Sequence, residues 1–177
     1  MAGSRRFVIL PLAVLASACA SVPLAPPEAD ARAKQFQAPP PGHANLYVYR
    51  NESLGGAVRM SINLDGAALG DTAAKTYLYT PIPAGTHTVV SKSENDSTAI
   101  IDARPGESYF VWQEVKMGLW SARSALQLVT EDRGREGVLE CKMGLTNAPA
   151  GCSKDTDCKG ARVCEAGACV EVRPNTN

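Results

Sequence analysis

The sequence predicts a mainly β protein: an antiparallel β-sandwich followed by a short C-terminal helix and a disulfide-rich tail. Apolar and polar residues alternate over residues 58–64, which predicts a strand with one buried face. Asp65-Gly66, directly after it, is typical of a tight hairpin turn. Further strand patterns are separated by turn residues such as Pro83-Ala84-Gly85 and Pro105-Gly106. About seven short strands without a convincing long helix favour a sandwich of the Ig-like or prealbumin-like kind.

The N-terminus has the layout of a secretory signal peptide. Two arginines precede an apolar stretch at residues 7–15, and small residues follow before Cys19. The stretch is too short to span a bilayer, which takes roughly 20 apolar residues. The run Leu15-Ala16-Ser17-Ala18-Cys19 resembles a bacterial lipobox, whose cysteine is acylated and becomes the new N-terminus. We therefore expect a lipoprotein signal peptide at residues 1–18 and lipidation of Cys19; the alternative is an ordinary signal peptide with an incidental cysteine.

A proline-rich tether is expected at residues 19–43, between the anchor and the domain. Six of the 12 prolines lie there, and proline-rich segments form extended spacers. Within it, residues 28–36 are rich in helix-forming side chains, with an acidic start and a basic end, and predict a short helix. Phe36 is the residue expected to pin this helix to the domain.

The sandwich domain is predicted at residues 44–143. Its predicted strands are short runs of alternating or strand-forming residues, and turn residues separate one run from the next. The predicted strands are 45–50, 58–64, 67–70, 75–80, 86–91, 98–103, 108–116 and 122–129.

A short helix is predicted after the last strand. Thr130 is a suitable N-cap, and two acidic residues follow it at the positive end of the helix dipole. Gly134 and Gly137 lower the stability of this helix by roughly 1 kcal/mol each relative to Ala. The residues expected to face the sheet are Val138, Leu139 and Cys141.

Residues 150–172 predict a cysteine-rich module. Its four cysteines are Cys152, Cys158, Cys164 and Cys169. In an exported chain such a cluster indicates two disulfides in a unit too small to hold a core otherwise. By analogy with small interlaced modules we favour pairing the first cysteine with the third and the second with the fourth, although three pairings are open. Zinc is the alternative, but its cysteines usually come in closer pairs and an oxidising compartment competes for them, so no metal or cofactor is expected.

Cys141 is left over when Cys19 is acylated and the four tail cysteines pair. One interpretation makes it a small buried apolar residue on the last helix. The other makes it the site of an intermolecular disulfide, because an unpaired thiol is unusual in a secreted protein.

Charge and motifs argue against two classes of function. Lys and Arg total 18, and so do Asp and Glu, so no basic field exists for a nucleic acid. His43 and His87 are the two histidines, and neither lies at a spacing that recruits a catalytic partner. No nucleophile elbow, zinc-protease motif or phosphate-binding glycine loop is present. We therefore expect no enzymatic activity and assign no catalytic residue.

Candidate binding residues lie on two predicted strands and near one strand end. Tyrosines alternate on each of the two strands, so each pair shares a face, and exposed aromatic rows can stack on sugars or grip a protein. The alternative is that these rings fill the sandwich core while the aliphatic residues between them point elsewhere. The candidates are Tyr47, Tyr49, Tyr77 and Tyr79, with Trp120 and Arg123 as a second patch.

Several phrases of the sequence occur together in a known family. INLDGAALGD, PIPAGTHTVV and RPGESYFV resemble small envelope β-domains. With AKQFQAPPPGHANLYVYRNE, WQEVKMGLWSARSALQLV and GREGVLECKM, they make residues 33–143 similar to the bacterial lipoprotein family with domain of unknown function 2846. The resemblance implies a membrane-tethered β-domain in the periplasm. It implies no chemistry, because the activity of that family is unassigned.

These observations together predict a non-enzymatic lipoprotein of the bacterial cell envelope. The expected location is the outer membrane, with the body in the periplasm or at the cell surface, because Ala20 rather than an acidic residue follows Cys19, as in the outer-membrane lipoproteins it resembles. The expected partners are the membrane, through the lipid anchor, and another envelope protein. The alternative is a β-domain that binds carbohydrate, such as cell-wall peptidoglycan.

Overall fold

The strands assemble into two sheets. The structure, a computed structural model, describes residues 21–53, 56, 58–117, 122–147, 162–165 and 168–171. The strands of the main domain are β1 His43–Arg50, β2 Met60–Leu64, β3 Ala67–Thr72, β4 Thr76–Pro83, β5 Gly85–Lys92, β6 Asp96–Ala103, β7 Ser108–Met117, β8 Ala122–Val129 and β9 Lys142–Met143. Among these residues, a five-stranded sheet has the order β8-β7-β1-β4-β9 and a four-stranded sheet the order β3-β2-β5-β6.

The prediction of a mainly β protein is confirmed. Each of the eight predicted strands is present, and β8 has the predicted bounds. Asp65 and Gly66 both have positive φ, 50° and 82°, as a two-residue hairpin turn between β2 and β3 requires.

The five-stranded sheet is mixed, so the expected purely antiparallel arrangement is wrong for it. β1 pairs in parallel with β7, and β4 pairs in parallel with β9. Parallel neighbours need a long crossover. Here the connection between β1 and β7 is long and includes all four strands of the four-stranded sheet. This length allows β7 to lie parallel to β1. Alternation along a strand carries no information about the direction of its neighbour.

The two sheets pack face to face around an aliphatic cluster, the inter-sheet core. Alternate residues of β1 and β4 point into it, together with residues of β2, β3, β5, β6 and β7. Its members are Ala44, Leu46, Val48, Ile62, Leu69, Leu78, Ile82, Val89, Ala99, Ile101, Ala103 and Val111.

The outer face of the five-stranded sheet is also buried, beneath helices α1 Pro27–Ala33 and α2 Glu131–Leu139. The cluster under them, which we call the helix-covered face, is largely aromatic. Its buried members are Ala33, Tyr47, Tyr49, Tyr77, Phe110, Val138 and Cys141. The domain therefore has three layers, and all eight residues of the central strand β1 are buried.

Helix α2 begins after Thr130, as predicted, and its two glycines explain its approach to the sheet. A Cβ at Gly134 would lie 2.1 Å from Cγ of Phe110, and a Cβ at Gly137 would lie 2.1 Å from Cε2 of Tyr49. The glycines thus form a notch that receives two rings. The expected inward position of Leu139 is wrong, because this side chain is 57% exposed.

The segment expected to be an extended tether is packed on the domain from Val22 onward. Val22 is buried, and Leu24 forms an antiparallel bridge with Gly144. The N–H of Ala25 donates to the carbonyl of Met143 at 2.9 Å. The prolines of this segment do not act as a spacer, since Pro27 opens α1, a position that needs no backbone N–H.

The predicted helix in this segment is present as α1. Phe36, just beyond it, packs against the helix-covered face as expected. Its ring centroid lies 5.5 Å from that of Tyr47 and 5.9 Å from that of Phe110.

The tail contributes a hairpin of β10 Arg162–Glu165 and β11 Ala168–Glu171, with Cys164 opposite Cys169 in the register. Cys152 and Cys158 lie outside the described residues, so the favoured disulfide pairing stays a prediction. The same holds for lipidation, since Cys19 lies outside them as well.

Candidate functional site

The candidate tyrosines are gathered on one face, but that face is not free. Tyr47, Tyr49 and Tyr77 are at most 2% exposed, and Tyr79 is half-buried. The prediction that each pair shares a face is confirmed, whereas the exposed aromatic row does not form because α1 and α2 cover it. The alternative, in which the tyrosine rings fill the sandwich core, was right about burial and wrong about the place. The rings fill the helix-covered face and not the inter-sheet core.

The tyrosine hydroxyls have partners that attach α1 to the sheet. Tyr47 donates to the carbonyl of Ala33 at 3.0 Å, and Tyr77 donates to Oδ1 of Asp30 at 2.8 Å. Burial raises the pKa of both phenols, so they stay protonated donors. These rings therefore have a structural role in α1 docking.

Asp30 is the centre of that attachment. Its carboxylate accepts hydrogen bonds from Nζ of Lys34 at 2.9 Å, from the Tyr77 hydroxyl and from the N–H of Met143 at 3.0 Å. Burial raises the pKa of Asp30, but these donors and the Lys34 charge outweigh it and hold the pKa below its usual value. The ionised carboxylate thus joins α1, β4 and β9.

The two histidines are held by turn and backbone groups. His87 Nδ1 lies 2.6 Å from Oδ2 of Asp65, and its Nε2 lies 2.8 Å from the carbonyl of Pro83. His43 Nδ1 lies 3.0 Å from the carbonyl of Pro41. Each histidine therefore has at least one hydrogen-bond partner within the domain. In the part of the chain that the structure describes, no three His, Cys, Asp or Glu side chains are placed to hold a metal ion.

Cys141 is a buried free thiol, 2% exposed, at the end of α2. Its Sγ lies 3.5 Å from the carbonyl of Arg50, and burial raises its pKa to about 12. The interpretation of Cys141 as a small buried residue is confirmed. An intermolecular disulfide is wrong for this fold, because no neighbouring chain can reach the sulfur.

The second predicted patch is divided. Arg123 lies on β8 and pairs through Nη2 with Oε1 of Glu94 at 2.9 Å, while Trp120 lies outside the described residues. The sequence interpretation missed Trp112. The guanidinium carbon of Arg133 lies over its ring, 4.6 Å from the ring centroid, in a cation–π contact. Trp112 lines a polar cavity of about 250 Å³ at the edge of α2. The sequence offered one weak signal for this contact, which was the position of Arg133 on the helix predicted after the last strand.

A cavity of about 260 Å³ lies beside α1. It is lined by Arg32 and Gln37 from the helical segment and by Tyr47 and Tyr79 from the sheet. Tyr79 is thus the one candidate tyrosine with an accessible surface in a concave site, and its hydroxyl donates to Oδ1 of Asn45 at 3.0 Å.

A third concave surface lies at the outer edge of the five-stranded sheet, where the N-terminal segment joins it. We call this the N-terminal edge. Its cavity of about 320 Å³ is lined by Val22, Leu24, Ala73, Lys75, Glu140 and Lys142. Leu24 is 47% exposed, and Lys75 Nζ lies 2.8 Å from Oε2 of Glu140. This edge combines an exposed apolar side chain with two lysines.

The described helices include none that is both long and apolar enough to cross a membrane. The fold and these surfaces define a class: a two-sheet β-domain with one helix-covered face and concave surfaces at its edges. More particularly, the chain belongs to the family of proteins of unknown function DUF2846, whose model matches residues 40–125.

An uncharacterized protein of Haemophilus influenzae is 33% identical over 143 residues, which cover 80% of this chain and 85% of that protein. The resemblance stated from the sequence is therefore confirmed at the level of the family. No solved structure matches the chain.

Proposed function

We propose that this protein is a lipoprotein of the bacterial outer membrane, acylated at Cys19, whose body is a non-enzymatic binding or structural module. The observation that carries the proposal is the apolar stretch at residues 7–15 followed by small residues and Cys19. The proposed anchor lies three positions before Val22, which is buried in the domain.

The energetics of acylation support this role. Each buried methylene contributes about 0.8 kcal/mol, and two or more acyl chains hold a protein on a membrane stably. The polypeptide then needs no membrane-spanning segment of its own. Both histidines lie on strands and are hydrogen-bonded to groups of neighbouring turns and loops, which favours a non-catalytic body. The face-to-face packing of two sheets supports an Ig-like or prealbumin-like relationship.

Metabolic labelling in a bacterial host with a clickable fatty acid tests the anchor. The full chain should carry the label and partition with membranes, and Cys19→Ser should lose both. Cys141→Ser is the matched control, because its buried thiol is not a substrate for acylation, and it should keep the label. Label retained by Cys19→Ser, or absent from the full chain, would contradict the proposal.

The tail is proposed as a two-disulfide module that adds a second interaction surface. Mass spectrometry of the chain, alkylated in urea without reductant, should find Cys141 as the free thiol and masses for two bridges among Cys152, Cys158, Cys164 and Cys169. Four alkylated tail cysteines in protein isolated from the envelope would exclude this module.

Cross-linking in cells tests the binding role of the anchored body. Specific capture of an envelope protein or a wall fragment, lost in Cys19→Ser, is the expected result. Capture of the chain alone would instead favour a self-associating structural role.

Binding of a glycan is the second candidate function, and the cavity beside α1 favours it. A half-buried ring, Tyr79, with Arg32 and Gln37 nearby offers stacking and hydrogen bonding to a sugar. Soluble peptidoglycan fragments should bind the full chain, and Arg32→Ala should weaken that binding. Equal binding by Arg32→Ala, with Arg104→Ala as an exposed arginine control, would exclude this cavity.

A further inference from the structure

We infer that the N-terminal edge lies directly against the headgroup layer of the membrane, so that the domain stands upright on the bilayer with β8 and β6 farthest from it. This inference rests on the proposed acylation of Cys19. It replaces the idea of a domain held away from the membrane on a flexible spacer.

The first argument is the length of chain between the anchor and the fold. Val22 is buried, and the bridge between Leu24 and Gly144 fixes the segment to the sheet edge. Val22 is the third residue after Cys19, and a fully extended chain covers at most about 11 Å over three residue steps. Whatever its conformation, the connection therefore cannot hold the domain farther from the anchor than that.

The second argument is the width of the sheet. The N-terminal segment pairs beyond β9, so it lies five strand spacings from β8 in the order β8-β7-β1-β4-β9. Neighbouring strands are about 4.8 Å apart, which makes this width about 24 Å. Because the connection is shorter than half this width, an upright domain has the N-terminal edge on the membrane and the β8 edge away from it.

The third argument is the chemistry of the surfaces that compete for the membrane. The N-terminal edge presents exposed Leu24 with Lys75 and Lys142, an apolar group and two cations that suit the interface and its phosphates. Glu140 offsets part of the Lys75 charge through their ion pair. The charge of Lys142 remains available to attract an anionic surface.

The two broad faces are less suited to a layer of phosphates. The outer face of the four-stranded sheet carries exposed carboxylates at Asp71 and Asp102, each bonded to a hydroxyl group and not to a cation. Helix α2 presents exposed Glu131, Asp132 and Glu136 beside exposed Arg133, and Glu131 is paired with Arg135, so this helix carries no surplus of cations. Lying flat would bring either set of acids to the phosphates, so the edge is the favoured contact.

The test uses two leucines of matched exposure at opposite edges, Leu24 at 47% and Leu128 on β8 at 51%. Full-length Leu24→Cys and Leu128→Cys, produced as the acylated proteins, are labelled with a thiol-reactive fluorophore. They are reconstituted in phosphatidylethanolamine and phosphatidylglycerol vesicles that contain a headgroup quencher. The unsubstituted chain, treated with the same fluorophore, gives the background from native thiols.

We expect quenching at position 24 to exceed that at position 128 several-fold. Inserting about 10 Gly and Ser residues between Ser21 and Val22 adds a flexible reach of roughly 17 Å and should reduce the difference. Equal quenching at both positions in protein that carries the fatty-acid label overturns the inference alone. Absence of the fatty-acid label overturns the proposed anchor as well, and the two failures are therefore distinguishable.

Discussion

The inter-sheet core and the helix-covered face lie on opposite sides of the same five-stranded sheet, yet different forces hold them. The inter-sheet core is aliphatic, and its main polar link is Gln113, whose Nε2 donates to Oγ of Ser91 at 2.7 Å. The helix-covered face combines stacked rings, a glycine notch and the carboxylate of Asp30. The stability of the inter-sheet core depends mostly on buried area, whereas that of the helix-covered face depends on shape and hydrogen bonds. Single substitutions should therefore affect the two regions differently.

The largest effect is expected from a cavity in the inter-sheet core. Leu46 is fully buried there, and Leu46→Ala should lower the free energy of unfolding by about 3 kcal/mol through lost burial and an unfilled cavity. Urea titration measures it. Leu128→Ala, at a half-exposed position, is the control and should change stability by less than about 0.5 kcal/mol. Similar losses for both variants would mean that the core is not where the structure places it.

The glycine notch gives a prediction in which two effects have opposite signs. Gly137→Ala raises helix propensity, which alone would stabilise α2 by about 1 kcal/mol. The new Cβ would also meet the Tyr49 ring, and overpacking should dominate, with a net loss of about 2 kcal/mol. Urea titration of this variant and of Glu136→Ala, exposed on the same helix, decides the sign. A gain in stability would show that α2 does not need the notch.

Asp30 should make the attachment of α1 sensitive to acid. Its pKa is lowered in the folded protein, so ionised Asp30 stabilises the fold above about pH 4, and this contribution is lost as the pH falls through the lowered pKa. Because the side chain is partly exposed, we expect a contribution of about 1 kcal/mol. Asp30→Asn should flatten the loss of stability as the pH falls below about 4.

Denaturation at several pH values measures this effect. Asp132→Asn, at an exposed position on α2, is the matched control and should follow the original chain. Identical pH profiles for Asp30→Asn and the original chain would contradict the assigned role of Asp30.

The smallest effect near neutral pH concerns Cys141. Burial raises its thiol pKa to about 12, so the unfolded chain loses this proton above about pH 9 while the folded chain keeps it, and stability declines progressively as the pH rises from about 9 toward 12. Iodoacetamide should therefore modify Cys141 slowly in native protein and rapidly in urea. Rapid native alkylation, followed by mass spectrometry, would show that α2 opens readily.

The strands of the domain were predictable because their signals are local. Alternation over residues 58–64 and the Asp65-Gly66 turn lie within one hairpin, and β8 begins and ends where the residue pattern changes. Thr130 marked the start of α2 for the same reason. Such features are determined by residues close together in the sequence, so the sequence alone predicts them.

The helix-covered face was not predictable in the same way. A period of two assigns Tyr47 and Tyr49 to one face of β1, but it does not say whether that face meets water, another sheet or a helix. The proline content of residues 19–43 suggested a spacer, yet Asp30 and the pairing of Leu24 with Gly144 bind the segment to partners more than 100 residues away. Long-range partners of this kind leave no local signal.

The pairing of Leu24 with Gly144 also has a consequence for the order in which the protein matures. Residue 24 is made early, and its partner follows about 120 residues later, so this edge closes only when nearly the whole domain is available to fold. Until then Leu24 is free of the sheet, and under the proposed acylation of Cys19 the enzymes that cleave and acylate a lipoprotein have room to act. Folding would close that interval, so processing should come first and completion of the sheet last.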